Sequence, residues 1–220
     1  MKKILLTTIF SVFYIASASA DIGVNVGISG NAGVFTASAK ERLAGTGNID
    51  EGSEHGEAAW SSVFIEKTLG PVLFVGVDYV TEGLETDQAE TAKVDKGPDA
   101  VTSTIVTNKI KVAFEDLTSY YIGARLGNAY VKAGTVTVDV ITKESLGTGS
   151  KYGNTSLDGT LLGVGHNHTF DNGFFIRAEG NYMEFDGVSL SSTGHAGTAN
   201  KITLKNLDGV SGKLSVGKSF

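Results

Sequence analysis

The sequence predicts an all-β chain folded as an eight-stranded antiparallel up-and-down transmembrane β-barrel, and three observations lead there. From Asp21 onward, apolar and polar residues alternate with period two, without a 3.6-residue periodicity. Tight turns at Gly70-Pro71, Gly127-Asn128 and Asp171-Asn172-Gly173 alternate with longer segments near residues 38–56, 83–103, 143–156 and 190–200, and seven connections join eight strands. Apolar faces run for about 9–11 residues from a tight turn or terminus before a carboxylate interrupts them, the length a tilted strand needs to cross hydrocarbon.

Composition narrows the function classes. A net charge of −6 over 220 residues argues against a nucleic-acid binder. The chain has no cysteine, which excludes a disulfide framework, a thiolate metal site and a lipidated cysteine. After the N-terminal segment no stretch approaches 18 apolar residues, so a membrane crossing has to be made by strands. Glycine is abundant, 29 residues, while proline is scarce, 2 residues, a balance that belongs to an ordered chain short of helix formers.

At the N-terminus Lys2 and Lys3 precede an apolar run from Ile4 to Ala16, and Ala18-Ser19-Ala20 places small residues at −3 and −1 of a cut. This is the layout of a secretory signal peptide over residues 1–20, cleaved after Ala20, with the barrel domain over residues 21–220. Losing Lys2 and Lys3 takes the net charge from −6 to −8.

The second strand offers Trp60, Phe64 and Glu66 on one face and Ala59, Val63, Ile65, Lys67 and Leu69 on the other. The second face is taken as outward, because Glu66 in lipid is costly while Lys67 at the rim can snorkel. The third strand points Leu73, Val75, Val77 and Tyr79 outward and Asp78 inward. On the fourth, Val106, Ile110, Val112, Phe114, Thr118, Tyr120, Ile122, Ala124 and Leu126 share the outward parity, and Lys109, Lys111, Glu115, Ser119, Tyr121 and Arg125 the inward one. Outward runs stop at a carboxylate on four strands: Leu126 to Thr118 before Asp116, Phe170 to Thr160 before Asp158, Phe174 to Tyr182 before Glu184, and Phe220 to Val210 before Asp208. A repeated stop at one height is what a bilayer boundary produces. Phe170, Phe174, Tyr130 and Phe220 are expected to form one aromatic girdle, and Tyr79 and Tyr182 the other.

With signal peptide, alternating strands, short turns at one end, long loops at the other and the terminal stretch Val210–Phe220, the chain resembles the small outer-membrane β-barrels of Gram-negative bacteria, of the OmpA/opacity type. The most specific element is Phe220 with Val216 and Leu214 at alternate positions, which resembles the signal read by the outer-membrane assembly machinery. Lys218 departs from the usual pattern, where an aromatic or apolar residue stands. The resemblance implies location in the cell outer membrane, periplasmic termini, extracellular long loops, and outer-membrane lipid, lipopolysaccharide and the assembly machinery as partners. It names no oligomeric state.

Eight strands leave an interior just wide enough to be filled by side chains, so a wide diffusion pore is excluded. Inward charges at membrane depth are Glu66, Asp78 and Glu179 against Arg125, Arg177 and Lys213, which are expected to pair, with Asn25, Asn167 and Asn181 completing hydrogen bonds. The expected function is a structural or surface-interaction role in the envelope, with a narrow porin-like channel as the alternative and a lipid A-modifying enzyme further behind. The loops carrying Glu41, Asp50, Glu51 and Glu54, and Glu85, Asp87, Glu90, Asp95 and Asp99, read as solvated surface, with divalent-cation bridging to lipopolysaccharide as the alternative. His55 and His195 fall in predicted loops. His166 and His168 share one face near the periplasmic rim without a third ligand at metal spacing, so no metal, cofactor or catalytic residue is expected.

Overall fold

The computed structural model describes residues 23–43, 47–96, 103–147, 149, 151–193 and 199–220. The proposed signal peptide, residues 1–20, and His195 lie outside the described residues. The strands are β1 (Val24–Arg42), β2 (Ile49–Leu69), β3 (Leu73–Val80), β4 (Leu84–Glu85), β5 (Ala89–Lys96), β6 (Ser103–Leu126), β7 (Ala129–Leu146), β8 (Thr155–Thr169), β9 (Phe174–Phe185), β10 (Val188–Ser191) and β11 (Lys201–Ser219). Each of β1, β2, β3, β6, β7, β8, β9 and β11 pairs antiparallel with the next, and β1 pairs back with β11, so these eight close a ring. The short β4 and β5 continue the third crossing beside β6, and β10 continues the seventh beside β11.

The short connections are the expected ones, and Gly70, Gly127 and Gly173 sit in them at φ of 70°, 62° and 81°, values that a side chain would strain. The long segments differ from expectation. Residues 38–42 and 49–56 are ladder and not loop: β1 and β2 stay in register out to Arg42↔Ile49. Likewise β6 and β7 pair out to Asn108↔Leu146. The sheet rises past the level of the outward carboxylates, so His55, expected in a loop, lies on β2 with its Nδ1 3.1 Å from Thr36 Oγ1.

Tyr130 apart, face assignment follows the sequence below that level, and it departs from it above. Tyr120, Ile122 and Leu126 are exposed on the outside, and Ser119 and Tyr121 are buried inside. Between Glu115 and Thr118 the register with β7 slips by one residue, and Asp116 takes a left-handed φ of 53°. A bulge flips the side chains on one side of it relative to those on the other, here those that precede Asp116. Val106, which the alternation alone puts outside, is therefore buried, and Phe114 packs against the interior cluster. An Asp suits the position because its short polar side chain tolerates the left-handed region. It is also held there, by a hydrogen bond from Tyr79 Oη to Asp116 Oδ1 of 2.6 Å.

The exterior carries an apolar belt: Ile28 and Val34 on β1, Leu73 and Val75 on β3, Val131 on β7, Leu162 and Val164 on β8, Phe174, Ile176 and Tyr182 on β9, and Val210, Leu214 and Val216 on β11 are all exposed. Phe174 to Tyr182 is about nine residues, about 30 Å of strand, which a tilt of about 40° reduces to about 23 Å of height. At the upper edge Glu184 stands directly opposite Asp208, with Thr160 on the other flank.

The interior has two layers. Toward the long-strand end, Trp60, Val80, Leu117, Val136, Val138, Leu157, Leu161, Met183, Phe185 and Leu207 form an apolar core. Toward the short-turn end, charged and aromatic side chains fill the cylinder. Glycine makes the packing possible there. A Cβ on Gly123 would lie 2.2 Å from the Phe74 ring, one on Gly165 2.3 Å from the Tyr130 ring, and one on Gly27 2.5 Å from the Phe64 ring. Rings lie over bare backbone, which is how a narrow barrel accommodates them.

Candidate functional site in the barrel interior

Glu66 on β2 is the centre of the charged layer. Its inward position follows from Trp60, Ser62 and Phe64 at alternate positions, all buried. Arg177 on β9, across the barrel, grips it with a two-pronged fork: Nη1 donates to Oε1 at 2.6 Å and Nη2 to Oε2 at 2.9 Å. Tyr121 Oη donates to Oε1 and Asn25 Nδ2 to Oε2, each at 3.1 Å. Arg177 in turn donates through Nε to Asn167 Oδ1 at 3.3 Å, and its guanidinium lies 5.1 to 5.2 Å from the ring centroids of Phe64, Tyr130 and Phe175. Ring faces and a planar cation attract, and more strongly out of water.

Glu179 on β9 is held by Lys132 of β7, with Nζ 2.6 Å from Oε1, and by the Tyr130 hydroxyl. Lys132 Nζ also lies 4.5 Å above the Tyr121 ring. Asp78 on β3 pairs with Lys213 on β11 and accepts from Ser62 Oγ at 3.3 Å. These links join strands that are not neighbours in the ring, β2 to β9 and β3 to β11, so they act as brackets across the lumen. Arg125 is the outlying member: its Nη2 is 4.0 Å from Glu66 Oε2, and its side chain keeps 28% of its exposure.

The sequence-predicted residues therefore come together, with changes. Glu66, Asp78, Glu179, Arg177 and Lys213 are buried at the centre, while Arg125 sits at the edge. Asn25 and Asn167 make the hydrogen bonds expected of them; Asn181 is buried with Oδ1 unpartnered. Lys132 was missed. Tyr130, expected in the lipid-facing girdle, is buried inside instead. The fifth crossing is apolar on both faces, Val131 and Ala133 against Val136 and Val138, so alternation alone could not orient it. The tight turn could have: it pairs Leu126↔Ala129 and Arg125↔Tyr130, which puts Tyr130, and hence Lys132, on the face of Arg125.

Of the assembly-signal residues, Leu214 and Val216 are exposed on the outward face and Phe220 is half-buried beyond β11. Lys218 Nζ lies 5.2 Å from the Phe174 ring and 5.4 Å from the Phe220 ring, so its stem is drawn along the aromatic rim. His166 and His168 are exposed on the same outer face, His168 edge-on to Phe170 at 4.9 Å. Among the described residues no group of three or more His, Asp or Glu side chains is placed to hold a metal ion.

Chemically, the interior layer is an ion-paired filling. Its three carboxylates are each engaged by a cation and at least one hydroxyl or amide, which satisfies the condition under which buried charge is tolerated.

No protein-family model matches the chain, and no curated protein matches it. Among solved structures it is similar in fold to small outer-membrane β-barrels. The outer membrane protein OprG from Pseudomonas aeruginosa aligns at 11% identity and a TM-score of 0.47 over 90% of this chain and 97% of that one. The outer membrane protease OmpT from Escherichia coli aligns at 9% identity and 0.46 over 92% and 99%. The outer membrane protein AlkL, solved in lipid bilayers, aligns at 13% identity and 0.45 over 92% of each. With TM-scores below 0.5, the reading of the site is left to the chain's own residues.

Proposed function

We propose that this chain is an outer-membrane β-barrel with a structural or surface-interaction role, exported through a signal peptide cleaved after Ala20 and assembled through the terminal Leu214, Val216 and Phe220 pattern. The observation that carries the closed reading is the two-layer interior: an ion-paired layer whose carboxylates are each engaged, beneath an apolar core around Trp60, Leu161, Met183 and Phe185. A water path along the axis would have to break both. The apolar belt supports residence in lipid, because leaving side chains such as Leu214 and Ile122 in water forfeits roughly 1.5–3 kcal/mol each. What the cell surface meets is then the raised sheet of β1, β2, β5, β6 and β7, whose outer face is ionic.

Purified protein in planar bilayers tests the closed reading. No steady single-channel conductance is expected, and steady openings from the unmodified protein, widened in Glu179→Ala or Arg177→Ala, would replace it with a channel. Membrane fractionation of cells expressing the full chain tests location: the mature form, with Asp21 as its N-terminus, belongs in the outer-membrane fraction.

A further inference from the structure

We infer that the short-turn mouth of the barrel is an oxyanion site built on Arg125, which takes a carboxylate or phosphate group from the aqueous side. Among the described residues, the interior at membrane depth holds three carboxylates, Glu66, Asp78 and Glu179, and Lys132 and Lys213 are committed to Glu179 and Asp78. Glu66 is saturated. Each of its oxygens already takes two donors, Arg177 Nη1 and Tyr121 Oη on Oε1, Arg177 Nη2 and Asn25 Nδ2 on Oε2. Arg125 is the cation left over.

Its guanidinium brings five N–H donors. Among the described residues these make one side-chain hydrogen bond, to Thr68 Oγ1 at 3.5 Å, and the ion-pair distance to Glu66 is a loose 4.0 Å. The group is nevertheless held. Its carbon lies 4.9 Å from the centroid of the Phe74 ring, and its backbone N–H donates to Val72 O at 2.8 Å in the turn between β2 and β3. The ring contact holds the guanidinium in place, and its sparse hydrogen bonding leaves donors unspent. The side chain is 28% exposed where that of Arg177 is 4% exposed, so solvent reaches Arg125 at the short-turn end, two residues from the Gly127 turn. A pre-oriented planar fork with unspent donors matches the paired oxygens of a carboxylate or phosphate. Phe74, Tyr130 and Arg177 are buried and leave no room deeper inside, so an anion would meet Arg125 from the solvent side with one end only, as a free phosphate or a lipid headgroup at the rim does.

The test uses the protein labelled for nuclear magnetic resonance in a phosphate-free maltoside detergent, titrated with sodium phosphate and, separately, sodium acetate at constant ionic strength held by sodium chloride. The Arg125 Nε–Hε signal and the Thr68 and Gly127 amides are expected to move saturably, with half-saturation on the order of millimolar. In Arg125→Gln the response should weaken at least ten-fold while the rest of the spectrum is retained, and Arg125→Lys, which keeps charge without the fork, should fall between. Phosphatidylglycerol bilayers separate the sources: Arg125 already at the bound position, unmoved by added phosphate, assigns a lipid headgroup, and movement only on addition assigns a free anion. Shifts that stay linear and match those of chloride overturn the site, as do saturable shifts that persist in Arg125→Gln.

Discussion

Replacing Glu66 by Gln isolates what the central bracket contributes. The side chain keeps its length, and one oxygen remains to accept from Tyr121 or Asn25, but the amide nitrogen cannot accept from Arg177. The two-pronged fork at 2.6 and 2.9 Å is lost, and a guanidinium whose side chain is 4% exposed is left with at most one neutral oxygen at position 66, Asn167 and three aromatic rings. Removing one partner of a buried pair costs about 3–5 kcal/mol, because the other charge is stranded. At about 1.4 kcal/mol per ten-fold, that is a change of roughly 140- to 4,000-fold in the unfolding equilibrium. Removing both charges is a different perturbation: in Glu66→Gln/Arg177→Met no ion is stranded, and most of the loss should return. The assay is urea unfolding from lipid vesicles followed by fluorescence of Trp60, the single tryptophan, which is buried in the apolar core. As a reference, Lys109 and Glu90 pair at 3.2 Å with both side chains about half exposed, and Glu90→Gln should cost under about 1 kcal/mol. If Glu66→Gln costs no more than that reference, or if the double variant is less stable than the single one, the bracket is not what holds the interior together.

Three further outcomes follow from the geometry. Gly123→Ala, whose Cβ would stand 2.2 Å from the Phe74 ring, should cost about 1–3 kcal/mol in the same unfolding assay, while Gly180→Ala, which meets nothing within 4 Å, should be neutral or slightly stabilising. Glu85 on β4 is held down to about pKa 2 by hydrogen bonds from Lys111 and Lys143, so the support it gives to β4–β6 pairing is complete above its ordinary value of 4.5 and lost as pH falls from there toward 2. A carboxyl titration by nuclear magnetic resonance with a midpoint near 4.5 would contradict this. Asp116→Val should destabilise the barrel by about 1–2 kcal/mol through its left-handed backbone and Asp116→Gly by less, as read by unfolding midpoints; equal losses would mean that the Tyr79 hydrogen bond, and not the backbone, is what matters there.

Much of the membrane-level architecture was legible because one physical pressure acts on it: lipid outside and a confined polar space inside force strict alternation on strands such as β9 and β11. The tight turns were legible from their glycines. Above the belt that pressure ends, and so did legibility. Polar, short-side-chain stretches such as residues 38–42 and 49–56 read as loop, yet they form ladder because their neighbours supply hydrogen-bond partners, which is a tertiary fact. The switch of face at Asp116 was invisible for a related reason. Strict parity carried through Asp116 puts Val112 and Phe114 with Ile122, and only the register against β7 reveals the extra residue. At the site, Glu66, Asp78, Glu179, Arg177 and Lys213 stood out as charges on otherwise apolar strands. Lys132 did not, since its strand is apolar on both sides and its facing is inherited through a turn from β6.

That extra residue also sets where the molecule floats. Below Asp116 the fourth crossing turns Ile122 and Tyr120 toward the hydrocarbon, and above it turns Lys111 outward to meet Glu85 at 2.5 Å. Deleting one residue there would rotate Phe114 and Val112 to the outside and draw the waterline up this side of the cylinder alone. The barrel would then have to lean or sink to reconcile one wall with the rest, so a single backbone irregularity works as the draught mark for the whole chain.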